Sequence, residues 1–228
     1  MSFEIRDKLD KNLIRLLNTK NFELYYDYLL EQNKLMNLTT ITETNEVYYK
    51  HFYDSIYLTK VLDLSKKNVL DIGAGAGFPS IPLKLINSDF NLTIVDGLKK
   101  RIDFLSRLIN KLNIKNIKLI HGRAEELAKT KSFDIILARA VSKLNILLEL
   151  ALPVLNTNGY FVAYKSINYQ AELNEAKKAL YLLGGELSEI VEYNIDDKLK
   201  HVYIIIKKVK TTPKKYPRKF AKIKKSPL

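Results

Sequence analysis

The chain predicts an α/β fold: a mostly parallel, seven-stranded sheet with helices on both faces, preceded by a helical extension. Three observations carry this expectation. From residue 68 onward, short and nearly continuous apolar runs alternate with helical stretches five times, as strands buried on both faces require. The first run, VLDIG, opens into glycines at 73, 75 and 77, the kind of turn that brings backbone close to a ligand beyond the carboxyl end of a strand. The first quarter of the chain shows helical spacing and no strand signal.

In order, residues 3–18 read as a helix on the spacing of Phe3, Ile5, Leu9, Leu13, Leu16 and Leu17. Residues 21–35 read as a second, with Tyr25, Tyr26 and Tyr28 as helix-packing residues, and Thr44 as the cap of a third. NVLDIG, NLTIVD, IKLIHG, FDIILARA and GYFVAYK then read as strands. The stretches between and after them, FPSIPLKLI, LKKRIDFLSRLINKLN, AEELAK, KLNILLELALPVL and NYQAELNEAKKALYLLG, read as helices. GELSEIVEYNI and KHVYIIIKK close the sheet as a hairpin turning near 196–198, with the last strand antiparallel. The expected segments are an N-terminal helical extension (1–66), a ligand-binding domain (67–209) and a basic C-terminal tail (210–228).

Composition narrows the chemistry. The 228 residues suffice for one sizeable α/β domain with extra elements. Without a cysteine there is no disulfide, no zinc–thiolate site and no cysteine nucleophile. The charged N-terminus lacks an apolar signal core, and the greasiest stretch, 144–155, is short and carries Glu149, so a soluble, cytoplasmic protein without membrane association is expected. Net charge is +13, of which residues 207–228 supply ten cations and no acid. Tyr216, Phe220 and three prolines interleave with those cations, which points to a nucleic-acid partner. The tail is expected to bind RNA through Lys214, Lys215, Arg218 and Lys219 and to be dispensable for folding. The alternative is that it packs back on the sheet with Tyr216 buried.

Asp71, Gly73, Gly75 and Gly77 form DxGxGxG, and Asp96 ends the second strand 19 residues past Gly77, where a carboxylate can hold both ribose hydroxyls. This spacing resembles the first motif of class I S-adenosylmethionine-dependent methyltransferases, which have a Rossmann-like fold. A nicotinamide enzyme stays open, because Lys99, Lys100 and Arg101 could meet a 2′-phosphate.

Further motifs follow in order: NLTTITETNEVYYKHFYDSI, DIGAGAGFPSIPL, VDGLKKRIDFL, GRAEEL, ARAVSKL, YKS and TPKKYPRK with KKSPL. Together they resemble the RsmG (GidB) family, which methylates N7 of guanine 527 in bacterial 16S ribosomal RNA. The resemblance runs from about residue 20 to the C-terminus. It implies S-adenosyl-L-methionine as cofactor, 16S rRNA or the small ribosomal subunit as partner, and cofactor contacts at Gly73, Phe78, Ala124, Glu125 and Arg139.

Absences agree with such an acceptor. There is no cysteine for attack by a base carbon. The stretch after the fourth strand reads ARAVSK, with neither an Asn/Asp-Pro-Pro-aromatic loop nor an aspartate. Guanine N7 has a free lone pair at neutral pH, so alignment can replace a general base. Arg139 and Lys165, which end the fourth and fifth strands, are assigned to orientation and electrostatics at the cofactor carboxylate, the rRNA phosphates or the guanine edge. Lys100 and Arg123 are assigned to the RNA backbone, with Lys165 a further RNA contact. His51, His121 and His201 are scattered, and no metal site is expected. His51, Asp54 and Ser55 invite a triad reading, but packing or a cleft role is preferred. A non-catalytic RNA-binding protein on a methyltransferase scaffold is the alternative function.

Overall fold

The computed structural model describes residues 9–129, 132–195 and 199–228. The expected start of the first helix and the hairpin turn at 196–198 lie outside them. Helix α1 (Lys11–Leu17) begins where Asp10 accepts from the amides of Asn12 and Leu13. Helix α2 (Lys20–Met36) ends at Asn37 in the left-handed region, φ 49°. Glu43, not Thr44, caps α3 (Thr44–Val47), because its carboxylate reaches the amides of both Asn45 and Glu46. The rod then continues as a π-helical turn (Tyr48–Tyr53), α4 (Asp54–Ile56) and a 3-10 turn (Tyr57–Lys60).

The sheet comprises β1 (Asn68–Ile72), β2 (Asn91–Asp96), β3 (Ile117–His121), β4 (Phe133–Arg139), β5 (Leu155–Ser166), β6 (Gly185–Asn194) and β7 (Lys200–Lys208). Its order is β3-β2-β1-β4-β5-β7-β6. Strands β1 to β5 pair in parallel, and β7 runs antiparallel between β5 and β6, as the terminal hairpin predicts. Helices α5 (Ser80–Ile86) and α6 (Lys99–Lys111) follow β1 and β2. AEELAK folds as a 3-10 turn (Ala124–Lys129) rather than an α-helix. Helix α7 (Leu144–Ala151) follows β4, and the helix expected before Gly184 divides at Ala176 into α8 (Gln170–Glu175) and α9 (Lys177–Leu183).

Strand alternation feeds two apolar cores. Val69, Ile135, Tyr203 and Ile205 face the N-terminal helices, α5 and α6. Leu70, Ile136, Ile204 and Ile206 face α7 and α9. The helical extension is therefore one wall of the main core. Phe22, Tyr25, Phe52 and Phe78 form a chain of ring contacts from it to the glycine turn.

The basic segment after β7 is folded onto the body, which corrects the expectation of a dispensable tail. The reason is a buried charge. Glu149 in α7 is fully buried and accepts from the Arg218 amide at 3.0 Å and its Nε at 2.7 Å, with an ion pair through Arg218 Nη2. Helix α10 (Phe220–Lys225) then seats Ile223, also fully buried, in the second core. Tyr216 is half-buried against the same core. Lys208, counted among the tail cations, is buried in β7 and reaches the Thr212 hydroxyl at 2.7 Å, and burial lowers its ammonium to about 8. The clue in the sequence was the lone acid in LNILLELALPVL, which needs a cation partner wherever that helix is buried.

Candidate active site

The carboxyl ends of β1, β2, β3 and β4 meet around the glycine turn. Gly73, Gly75 and Gly77 all have positive φ, +71°, +58° and +102°. This curls the backbone so that the Gly75 amide donates to Asp96 Oδ2 at 3.2 Å. The other Asp96 oxygen accepts from the Leu98 amide at 2.9 Å, and Arg101 lies 3.5 Å from Oδ2. Asp96 is thus set at the rim of the turn with its position fixed by backbone donors. Asp71 sits behind the turn, fully buried, accepting from the Ser80 amide at 3.3 Å. Its Oδ1 has no hydrogen-bond partner, and burial pushes its carboxyl up to about 7.

Two hollows flank Gly73. One, of about 230 Å³, is lined by Gly73, Gly75, Phe78, Arg101 and Arg139, with Leu38, Thr39 and His51 contributed by the helical extension. The other, of about 100 Å³, is lined by Ile72, Val95, Asp96, Gly97, Ala124, Glu125 and Phe220. The Val141 side chain stands against Gly73 between them, and a Cβ on Gly73 would come within 2.9 Å of it. At Gly75 a Cβ would meet nothing within 4 Å, so that position faces open space. Glu125 is half-buried, and burial raises its carboxyl.

Every residue expected at the cofactor therefore lines one of these hollows except Gly77, whose role is internal. A Cβ on Gly77 would lie 2.6 Å from the Tyr25 hydroxyl, which donates to the Ala76 carbonyl at 2.6 Å. Phe78 is stacked between Tyr25 at 5.6 Å and His51 at 4.5 Å.

Arg139 lines the larger hollow, but its guanidinium is occupied. It pairs with fully buried Asp54 at 3.0 Å and donates to the Lys50 carbonyl at 2.6 Å and to His51 Nδ1 at 2.9 Å. Burial alone would raise the Asp54 carboxyl. Arg139, together with His201 at 2.8 Å and Tyr193 at 2.7 Å, outweighs it and holds the group low. His51 Nε2 meets the Thr39 hydroxyl at 2.8 Å. Burial, reinforced by Arg139, lowers the His51 imidazole to about 3, so it stays neutral. Ser55 donates to the His51 carbonyl at 2.6 Å and not to the ring, so these three residues make no triad. The two further partners of Asp54, Tyr193 and His201, carry no sequence signal, since contacts spanning 139 and 147 residues leave no local spacing to read.

Lys165 pairs with Glu172 at 2.6 Å and donates to the Ser142 carbonyl at 2.8 Å, which ties down the 139–143 loop. Lys100 and Arg123 are exposed near Asp96, Arg123 with its guanidinium 4.8 Å from the Phe220 ring centre. Lys214, Lys215 and Lys219 are exposed. Arg218 and Lys165 depart from the expected RNA contacts: the Arg218 guanidinium is committed to Glu149 and the Lys165 ammonium to Glu172, so neither presents a free cation to phosphate. Among the described residues, no group of three or more His, Asp or Glu side chains could hold a metal ion.

The glycine cradle, a rim carboxylate between an apolar hollow and a polar one, and open space beside Gly75 fit S-adenosylmethionine. Sheet order and site together define a class I S-adenosylmethionine-dependent methyltransferase with a Rossmann-like fold. Solved structures share this fold at low identity. The M. jannaschii TYW2 structure in complex with AdoMet has a TM-score of 0.58 and 14% identity, over 75% of this chain and 80% of that one. The Pyrococcus horikoshii NSun6 structure with SFG also has a TM-score of 0.58, at 16% identity, over 75% of this chain and 57% of that one. The GidB family model, described as rRNA small subunit methyltransferase G, matches residues 18–203. Proteins named ribosomal RNA small subunit methyltransferase G from Lachnoclostridium phytofermentans and Bacillus subtilis are 48% and 47% identical. Each alignment covers 92% of this chain, and 89% and 90% of those proteins respectively. The chain belongs to the GidB family of rRNA small subunit methyltransferases.

Proposed function

We propose that the chain methylates N7 of guanine 527 in 16S rRNA, in the cytoplasm, with S-adenosylmethionine as donor. Family membership supports small-subunit rRNA as the substrate, and the resemblance drawn from the motifs supports the guanine and the atom. The observation that carries the acceptor chemistry is the occupied state of the ionisable groups at the larger hollow. His51 has both ring nitrogens bonded and is held neutral by burial, and Arg139 is paired with Asp54. An acceptor that needs no deprotonation suits such a site.

Bound S-adenosylmethionine supplies an electrophilic methyl group on a sulfonium. Asp96 would hold the ribose hydroxyls, Ala124 and Glu125 would border the adenine, and the Gly73–Gly75 backbone would contact the bound cofactor. Phe78, clamped between Tyr25 and His51, forms an apolar wall that excludes water. Arg139 and Lys165 act as positioning residues. The first fixes the helical extension over the turn, and the second fixes the loop after β4. Exposed Lys100, Arg123, Lys214, Lys215 and Lys219 meet RNA phosphates.

The test is mapping of N7-methylguanine in 16S rRNA from cells with and without the protein. Loss of the modification at guanine 527 alone is expected. An unchanged signal there, or loss at another position, overturns the assignment.

A further inference from the structure

Phe220 lies beyond the stretch matched by the family model, 124 residues after Asp96 in sequence, yet both line the smaller hollow beside Gly73. Its position there is engineered by two anchors. Two residues upstream, Arg218 gives its backbone amide and its guanidinium to fully buried Glu149, which fixes main chain as well as side chain. A buried carboxylate satisfied this fully does not release its partner cheaply, since release would leave an unpaired charge in the core. Three residues downstream, fully buried Ile223 pins α10 to the second core. The ring itself is covered by the Arg123 guanidinium at 4.8 Å. The hollow is lined as well by the apolar side chains of Ile72, Val95 and Ala124. A narrow apolar slot closed by an aromatic ring suits a flat heteroaromatic base.

We propose that Phe220, held by the Arg218–Glu149 pair, is the outer wall of the subsite for the cofactor's adenine ring. The C-terminal segment is then part of the cofactor site and not only an RNA-binding appendage. The proposal rests on the reading that the smaller hollow takes the adenine.

Calorimetric titration of the full chain with S-adenosylhomocysteine and with adenosine tests it. Phe220→Ala is expected to weaken both about tenfold, the scale of removing one aromatic platform from a base. Phe220→Tyr, which keeps the ring, is expected to bind close to the parent value. Equal parent-like affinity in Phe220→Ala overturns the proposal. Should Phe220→Ala unfold, Phe220→Leu keeps apolar bulk without the ring and is expected to weaken adenosine binding; parent-like affinity there overturns the proposal. Ala124→Leu narrows the hollow without touching Phe220. If it leaves adenosine affinity intact, the adenine sits elsewhere and both readings fall. If it abolishes binding while folded Phe220→Ala does not, only the role of Phe220 falls.

Discussion

Gly75 and Gly77 both stand at positive φ, but for different reasons, and substitution should separate them. Gly75 faces open space, so Gly75→Ala costs the fold only the left-handed penalty of about 1–2 kcal/mol, while its methyl enters the hollow where ligand backbone contact is needed. Gly77→Ala meets the Tyr25 hydroxyl at 2.6 Å and Ile81 at 2.9 Å and breaks the Tyr25–Ala76 bond, a loss of about 3 kcal/mol or more. Melting and calorimetry should therefore rank the two in opposite orders. Equal melting losses would remove the internal role given to Gly77. Asp71 makes a second, pH-dependent case. Its folded carboxyl stands at about 7, above an unfolded value near ~3.9, so the protonated form is the one the fold prefers. Its contribution is complete below the unfolded value and is lost as pH rises through about 7. Relative to the parent, Asp71→Asn should gain stability between about pH 4 and pH 8, by ~2–4 kcal/mol. A stability difference that does not change with pH would show that Asp71 does not titrate there.

At the scale of elements, the inner strands were legible because a strand buried on both faces leaves an unmistakable apolar run, whereas the mostly exposed edge strand β6 was legible only as the partner of β7 in a terminal hairpin. The glycine turn and Asp96 were legible because their chemistry is local to two strand ends. The π-helical turn at Tyr48–Tyr53 was not, since its residues share the composition of an ordinary helix and no spacing marks the wider turn. What that segment does depends on tertiary partners: it brings the His51 and Lys50 carbonyls to Arg139 and leads into Asp54, which Arg139 neutralises. Arg139→Met should therefore cost about 3–5 kcal/mol by leaving buried Asp54 without its guanidinium and with only Tyr193 and His201 on its carboxylate, and adding Asp54→Asn should recover much of that loss. Urea unfolding of the four members of the cycle measures the coupling. Strictly additive losses would show that the two side chains stabilise the fold independently.

For the whole molecule, the seam between body and tail decides the most direct experiment. A charge-dense stretch with interspersed aromatics reads as a solvated arm, because the acid that anchors it, Glu149, lies 69 residues back. Truncation after Lys210 removes the counter-charge of Glu149 together with Ile223 and Phe220. The shortened chain should lose about 3–5 kcal/mol, and Glu149→Met in that background should restore melting without restoring cofactor affinity. A truncated chain that melts normally would return the segment to the status of a loose arm.

The hydroxyl of Tyr25 on the Ala76 carbonyl has a consequence of another kind. It makes the helical extension and the ligand cradle one cooperative unit, so opening of either requires the bond between them to break. A ligand that tightens the turn therefore slows local unfolding of helices it never touches. Amide hydrogen exchange in α2 should slow on saturation with S-adenosylhomocysteine, and Tyr25→Phe should uncouple that protection while leaving the helix in place. Exchange in α2 that ignores the ligand would mean that the two halves breathe separately.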